Sequence, residues 1–451
     1  MIEEFEYEGV WWLPDNPEIK IPGILKFTPT EGAVLKLSSD NEYILAMFAN
    51  SDPEIILGIS SNGKYITLYK CLILQPEITR IDSYSLGSIV FGSQMVLVGS
   101  HFQKPEDIKF KSMSIHYLYL NEWFKMPSFK LRRFENETIK KMIIECEIPE
   151  PIPAIINDYK ILLEVRILPP SLSSIEQGEV NIKQKTYIKI EPSENKSLDE
   201  FLNIIYLIQG FLSLGALKPS YPLIIEGETR TNKYVKLYYR MLIPKVTSLL
   251  HPQDMLFTFQ DIPDFETFIK NWFEKANLLE PVYYLYLITL YDPDMYIEQQ
   301  LLSLVGAIEA YHRRTMDNFE LPKEQHNKRL EEILRSVPEE YKGWLNEKLS
   351  YSNEKSLRKR LKEVVKEFDP ILKELIPVLD SFVDKVVKTR NYLTHNDEKL
   401  KDQAATGKDL LELVENLKII AEICLLKELG FTLDKIKNLI SRNRKTRKFI
   451  K

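Results

Sequence analysis

The chain has 451 residues, of which 44% are hydrophobic and 28% are charged, and its formal net charge is −5. This length predicts two or three domains, and the acidic balance excludes a general binder of polyanions. No apolar run approaches the roughly 20 residues that a membrane-spanning helix needs. The first residues are acidic instead of apolar, so we expect a cytoplasmic protein with no membrane partner.

The sequence carries no recognisable metal or nucleotide motif. Its cysteines are far apart, and none has the spacing of a zinc site: Cys71, Cys146 and Cys424. We expect free, buried thiols, because an isolated cysteine behaves as a small hydrophobic residue. The six histidines lack paired spacing, and no glycine-rich phosphate loop occurs. The sequence therefore predicts no cofactor and no metal.

Short strand patterns and turn signals fill the first part of the chain. Apolar alternation on both sides of Ser61-Asn62-Gly63 predicts a tight hairpin, and a second hairpin is predicted around Gly32. Further strand patterns cover residues 88–98, 114–120, 138–148, 159–168 and 182–190. Residues 1–192 are therefore predicted to form a β-rich domain of the sandwich or barrel type.

Residues 193–278 are predicted to extend this domain as an α+β segment. Ser197 and Glu200 have the spacing of a capping box, which begins a largely apolar helix that continues to about Leu217. Two strand patterns follow this helix. Asp264 is the predicted N-cap of another helix, which is rich in aromatic residues.

Residues 279–451 are predicted to be an all-α bundle, which makes the whole chain a multidomain α+β protein. Pro281 suits the first turn of a helix that ends near Tyr291, and Gly430 is the predicted C-cap of a long apolar helix. The last helix leads into a basic tail. Residues 435–451 contain eight Lys or Arg and no acidic residue, which fits either phosphate contact or a solvated terminus.

The residues with the clearest chemistry lie on one predicted helix near the C-terminus. One row along this helix, four residues apart, consists of Val383, Val387, Asn391 and His395. Arg390 continues the neighbouring apolar stripe. A packing stripe that becomes Arg, Asn and His indicates a groove or a partner surface.

These residue types suit chemistry on a phosphodiester. Histidine titrates near neutral pH and can transfer a proton, and the planar fork of arginine holds phosphate oxygens. Asn391 could orient the imidazole, and no metal is required if the nucleophile is the 2′-hydroxyl of the RNA itself. The spacing alone leaves this role open, because a cationic side chain also stabilises a helix C-terminus.

The segment Lys-Thr-Arg-Asn-Tyr-Leu-Thr-His, residues 388–395, resembles the Arg-x(4–6)-His signature of HEPN domains. Residues 302–314 resemble the first long helix of the ApeA-like HEPN branch. Residues 9–14 and 22–27 resemble the ApeA N-terminal domain. The resemblance touches both halves of the chain in the matching order, so the sequence is identified as that of an ApeA-like HEPN-domain protein.

This resemblance implies a metal-independent endoribonuclease of bacterial antiphage defence by abortive infection. It implies that Arg390 and His395 are the catalytic pair, that Asn391 supports them, and that the substrate is RNA cleaved by 2′-hydroxyl attack. It also implies a homodimer or higher homo-oligomer formed through the HEPN domain, and an N-terminal sensing domain that responds to a phage-derived trigger. Glu309 is a weaker supporting candidate, which could brace Arg390 or pair with Arg313 four residues on.

Two other functions fit the same sequence. A non-catalytic HEPN domain would bind RNA or assemble proteins without cleavage. A carbohydrate- or ligand-binding β protein with a helical oligomerisation domain would use Trp11, Trp12 and the many tyrosines. Aromatic residues in strands are, however, commonly part of the core.

Overall fold

The computed structural model describes residues 3–39, 41, 47–48, 52–81, 84–136, 138–171, 175–241, 250–376 and 379–443. The chain divides into two compact units. The first comprises Met1–Leu212, Pro219–Pro252 and Thr258–Glu266, and the second comprises Ser213–Lys218, Gln253–Phe257 and Thr267–Lys451. The part of the basic tail after Asn443 lies outside the described residues. Among the helices within these ranges, none combines the length and the apolarity that crossing a bilayer requires.

Six strands of the first unit close into an antiparallel barrel. They are β1 (Phe5–Trp12), β2 (Ile21–Thr28), β3 (Gly32–Ser39), β4 (Ile55–Ser60), β5 (Tyr65–Ile81) and β6 (Tyr84–Val98). Their order is β6-β3-β2-β1-β4-β5, and β5 pairs with β6 to complete the ring. Both predicted hairpins are confirmed, with Leu25 opposite Leu35 in one and Leu57 opposite Thr67 in the other.

The barrel core is built from the inward side chains of alternating strand positions. Trp11 is fully buried there, and its indole N–H donates to the backbone oxygen of Gly23 over 3.2 Å. Gly58 makes the room, because a Cβ at this position would lie 2.1 Å from the Trp11 ring. Trp12 is buried as well. These two tryptophans are therefore core residues, which removes the main support for a sugar-binding surface.

Further strands extend the barrel sheet to twelve strands. They are β8 (Ser112–Tyr117), β11 (Ile152–Ile156), β12 (Tyr159–Leu168), β13 (Lys183–Pro192), β15 (Pro222–Glu228) and β16 (Tyr234–Tyr239). Their order is β11-β12-β13-β8-β15-β16, and β16 pairs with β6. Strands from the predicted extension, residues 193–278, thus belong to the same sheet as the barrel.

Smaller elements complete the first unit. They are β7 (Lys109–Phe110) paired with β14 (Lys196–Ser197), β9 (Phe129–Asn136) paired with β10 (Thr138–Cys146), and the short helix α1 (Leu120–Phe124). Helix α2 (Leu198–Ala216) begins at the predicted capping box, since Glu200 accepts from the Ser197 N–H over 2.9 Å. One face of the extended sheet packs on α2, where the Tyr117 hydroxyl donates to the Ile205 oxygen over 3.0 Å.

The three cysteines are free, but only two are buried as expected. Burial raises the pKa of the Cys71 thiol to about 12, and the pKa of the Cys424 thiol also lies well above its ordinary value for the same reason. The prediction is wrong for Cys146, which is exposed. Cys146 ends β10, and the two-stranded β9–β10 ribbon is not part of the twelve-stranded sheet.

The described residues from Phe265 to Asn443 are mainly helical, as predicted. The helices are α3 (Phe265–Tyr291), α4 (Ile297–Thr315), α5 (Lys323–Arg335), α6 (Glu339–Lys348), α7 (Leu357–Glu367), α8 (Asp369–Leu375), α9 (Leu379–His395), α10 (Gly407–Leu429) and α11 (Leu433–Arg442). Gly430 ends α10 with a φ of 106°, the left-handed conformation that glycine adopts without strain. Thr432 caps α11 by accepting from the Lys435 N–H.

The prediction that Pro281 begins a helix is wrong, because Pro281 lies inside α3. A proline has no N–H and leaves the carbonyl four residues earlier without its helical donor. Here the Arg314 guanidinium of α4 replaces that donor. Its Nη1 donates to the Asn277 oxygen over 3.3 Å and to the Leu278 oxygen over 3.1 Å. Packing against α4 thus lets one helix continue through the proline.

Candidate active site

Helix α9 leaves the core of the helical unit over its last turn. It packs against α4, α7 and the 3-10 turn Glu398–Gln403. Along the predicted row, Val383 and Val387 are buried, Asn391 is half-buried and His395 is exposed. Arg390 is half-buried and continues the stripe of the fully buried Val386. The transition from core to surface therefore falls on the predicted site residues.

Thr389 anchors the helix beside Arg390. Its side chain is fully buried, and its hydroxyl donates to the Lys385 oxygen over 2.8 Å and accepts from the Ala405 N–H over 2.9 Å. The second bond joins α9, next to Arg390, to the segment that follows the helix. Our sequence reasoning missed this residue, although a polar side chain on the buried stripe of Phe382 and Val386 was a usable signal.

The helix ends directly after His395. Asn396 has a φ of 50°, and its N–H donates to the Tyr392 oxygen over 2.8 Å. Asparagine is one of the few residues that tolerate this left-handed conformation at a helix end. The Asp397 side chain then accepts from the Lys399 N–H over 3.1 Å. His395 consequently projects from the final helical position with an exposed side chain.

Arg390 and Asn391 contact each other, whereas His395 stands apart from both. Nη1 of Arg390 donates to Oδ1 of Asn391 over 3.1 Å. Within the described residues, the other guanidinium donors and the His395 imidazole make no hydrogen bond to the protein. His395 lies five positions after Arg390, which is about 7.5 Å along a helix axis. The surface thus presents one fixed cation and one titratable ring, both with unused hydrogen-bonding groups.

Glu309 engages arginines other than Arg390. Its carboxylate accepts from Nη1 of Arg360 and lies 3.6 Å from Nε of Arg313 on the same helix. The pairing with Arg313 that the sequence suggested is therefore present. A supporting role of Glu309 in the active site stays a prediction.

Arg360 is the centre of a buried polar cluster that our sequence reasoning missed. Its side chain is 4% exposed, and it donates to Glu309 of α4, to Asn318 over 3.0 Å and to Glu354 over 2.9 Å. A buried guanidinium requires such partners, since an unpaired buried charge is costly. Arg360 directly precedes the buried Leu361 at the edge of the apolar stripe of α7, which is the only sequence signal it gives.

A buried histidine that pairs with a carboxylate lies next to this cluster. The His312 ring is fully buried, and its Nε2 lies 2.7 Å from the Glu363 carboxylate, which also accepts from Lys355 over 3.0 Å. Burial raises the pKa of Glu363, but the hydrogen bonds from His312 and Lys355 outweigh it and lower the pKa overall. Nearby, Arg358 of α7 pairs with Asp384 of α9. Helices α4 and α7 thereby form a fixed support for the motif helix.

A groove of about 460 Å³ also borders the motif helix. It lies between α9 and α10, and its walls include Phe382, Lys385, Asp409 and Glu412. None of the predicted site residues lines this groove. The candidate site is therefore the open surface at the end of α9.

Comparison with protein families finds a match in each half of the chain. A family model described as ApeA N-terminal domain 1 matches residues 6–272, which include all of the barrel except Phe5 and also its strand extension. A second, described as Apea-like HEPN, matches residues 302–435, which include α9 and its motif. Comparisons with curated proteins and with solved structures give no match.

Proposed function

We propose that this chain, which belongs to the ApeA family and carries an ApeA-like HEPN domain, is an RNA endonuclease that acts through Arg390 and His395. The observation that carries the proposal is the end of α9. There the packed stripe becomes a surface with an arginine and a histidine whose hydrogen-bonding groups are largely unused. The family supports antiphage defence as the purpose, and we propose that the chain acts by abortive infection in the bacterial cytoplasm.

The proposed step is transfer of a phosphodiester to the neighbouring 2′-hydroxyl. The 2′-oxygen forms a bond to phosphorus, the bond from phosphorus to the 5′-oxygen breaks, and the 2′ proton leaves to a base. The products are a 2′,3′-cyclic phosphate and a 5′-hydroxyl. No metal is required, because the nucleophile is already held beside its target. Arg390 stabilises the charge on the phosphate oxygens, and Asn391 holds one edge of the guanidinium.

The same chemistry favours two copies of the motif in one cleft. One group must accept the 2′ proton while another protonates the departing 5′-oxygen, and the motif supplies one histidine for both tasks. A second chain would supply the second imidazole. We therefore propose a homodimer or higher homo-oligomer through the HEPN domain. A chain that is a strict monomer by light scattering and cleaves RNA at the full rate would contradict this part of the proposal.

The N-terminal unit is proposed to restrain the nuclease until a phage-derived trigger binds. This role is what the resemblance to ApeA-like proteins implies. An assay of the purified chain therefore needs two arms, one alone and one with lysate from phage-infected cells. Cleavage that appears only in the second arm supports the restraint, and equal cleavage in both arms contradicts it.

The nuclease itself is tested by incubating RNA with the full chain in EDTA, in the arm that contains lysate from phage-infected cells. We expect cleavage by the wild type, and a loss of roughly 10²–10⁴-fold for His395→Ala, which is the usual contribution of a proton-transferring side chain. Arg390→Ala should lose roughly 10²–10³-fold. The matched control is Arg335→Ala, which removes an arginine whose side chain is 81% exposed in the same unit.

The outcomes separate the proposal from its rival. Cleavage that persists in both Arg390→Ala and His395→Ala would contradict the assignment of the site. RNA binding without cleavage in every arm, including the triggered one, favours a non-catalytic HEPN module for RNA binding or assembly.

A further inference from the structure

The polar face of the extended sheet contains a cavity of about 450 Å³. It lies within the first unit, on the strands β8, β12, β13, β15 and β16. The lining residues are Ser112, Ser114, Glu164, Arg166, Lys189, Glu226, Glu228 and Tyr234. A volume of this size is typical of a small-molecule site.

The cavity follows from the side-chain sizes on three neighbouring strands. Strand β8 puts Ser112 and Ser114 on this face, and both are buried at its floor. In the sheet register, Ser114 is flanked by Lys189 of β13 and Glu226 of β15. Small residues on the middle strand thus form a trough between long side chains. The opposite face of β8 packs in the core, which keeps the trough in place.

Arg166 lines this trough and lies against an aromatic ring. The carbon of its guanidinium is 4.1 Å from the centre of the Tyr187 ring, which is itself only 5% exposed. Arg166 donates to Glu164 over 2.6 Å, to Ser114 over 2.6 Å and to Glu226 over 2.9 Å. Because Tyr187 lies against the guanidinium and most of its N–H groups are occupied, the part of Arg166 that lines the cavity is the part that a ligand can contact.

The cavity is also lined by two carboxylates with acceptor positions to spare. Glu164 receives Arg166 through Oε1, and Glu226 receives it through Oε2. Among the described residues, no group donates to Oε2 of Glu164 or to Oε1 of Glu226. An ionised carboxylate has about four acceptor positions, so both side chains can accept further N–H groups.

These features select one ligand chemistry. The carboxylates disfavour a phosphate or carboxylate, and the guanidinium face disfavours a stacked cation. A neutral planar ring with N–H donors at its edge satisfies both, because arginine planes stack on nucleobases and carboxylates accept from base N–H groups. Guanine presents two adjacent N–H donors. Adenine and cytosine present an acceptor beside their amino group, which a carboxylate repels. We propose that this cavity binds a guanine base, from a free nucleotide or from single-stranded RNA.

Calorimetric titration of the full chain tests this site. His395→Ala is used as the background, so that the RNA arm is not consumed and a failure of the nuclease proposal does not affect the result. The probes are guanosine, adenosine and cytidine monophosphates, and the trinucleotide ApGpA. We expect the guanosine nucleotide to bind at least tenfold more tightly than the other two mononucleotides. Tighter binding of the trinucleotide identifies RNA as the source, and equal binding identifies the free nucleotide.

The variants assign the binding to the cavity. Glu164→Gln with Glu226→Gln should weaken binding of the guanosine nucleotide at least tenfold, and so should Arg166→Lys, which keeps the charge but lacks the flat face. Glu147→Gln, which changes a glutamate of the same unit whose side chain is 77% exposed, is the matched control and should bind as the parent does. The proposal is overturned if no guanine probe binds at millimolar concentration, if the cavity variants bind normally, or if spermidine binds there and the guanosine nucleotide does not.

Discussion

Two arginines of the helical unit, Arg360 and Arg390, differ in what surrounds them. Arg360 is buried, and its guanidinium donates to acceptors on three separate segments. Arg390 is half-buried, and within the described residues it donates only to the adjacent Asn391. A buried charge that is paired with two carboxylates stabilises the fold, whereas a half-buried charge beside an exposed histidine can act on a ligand. The comparison predicts that stability and activity depend on different arginines.

The largest expected effect is on cleavage, through the exposed end of α9. Arg390→Ala and His395→Ala should lower the cleavage rate by roughly 10²–10⁴-fold. Their free energy of unfolding should stay within about 0.5 kcal/mol of the wild type, as for surface substitutions generally. Urea unfolding followed by circular dichroism at 222 nm measures this. Inactive variants that are also strongly destabilised would erase the contrast with Arg360.

The next effect is on stability, through the buried cluster. Arg360→Ala removes the buried cation that Glu309 and Glu354 share and leaves both carboxylates paired only with Arg313. Loss of one partner of a buried ion pair costs about 3–5 kcal/mol, and the remaining contacts to Arg313 make this the upper end of the expected loss. The same urea experiment should register this loss, with Arg335→Ala as the control. A variant as stable as the wild type would show that the cluster does not hold α4 and α7 together.

A smaller effect is expected at Thr389, which is buried like Arg360 but directly precedes Arg390 in the motif helix. Thr389→Val keeps the shape of the side chain but leaves the Ala405 N–H without its acceptor, at a cost of about 1–3 kcal/mol. Because this bond ties the motif turn to the next segment, we expect cleavage to fall as well, but by less than in Arg390→Ala. Unchanged stability together with unchanged cleavage would contradict the anchoring role.

The smallest effect is a pH dependence of stability at Glu363. Its pKa in the folded chain lies below the ordinary 4.5, so the carboxylate stabilises the fold above that value, and the contribution is lost as the pH falls through the folded pKa. Glu363→Gln removes this contribution. The melting temperatures of wild type and variant should therefore differ at pH 7 and converge as the pH falls below 4.5 and through the lowered pKa of the folded chain. A constant difference from pH 7 to pH 3 would rule out this linkage.

Local patterns in the sequence predicted the elements that local physics determines. The hairpin around Gly32, the capping box at Ser197 and the C-cap at Gly430 all depend on neighbours within a few residues, and all are confirmed. The helical row to His395 also follows from spacing alone. These signals were enough to locate the candidate site on the last turn of one helix.

Features that depend on distant partners could not be predicted in this way. Pro281 lies inside a helix because Arg314, from the next helix, donates to the freed carbonyls. Arg360 has partners on segments up to 51 residues away. The cavity over β8 needs the register of several strands, which no single segment encodes. Such contacts become visible only when the fold is known.

The central claim is that Arg390 and His395 drive attack by the 2′-hydroxyl, and the ends of the cleaved RNA test it most directly. Mass spectrometry of the fragments made by the full chain in EDTA should find a 2′,3′-cyclic phosphate, or the phosphate from its opening, and a 5′-hydroxyl. An RNA with 2′-deoxyribose at the cleaved position should stay intact. Fragments with a 5′-phosphate and a 3′-hydroxyl, or cleavage at the deoxyribose position, would contradict the account.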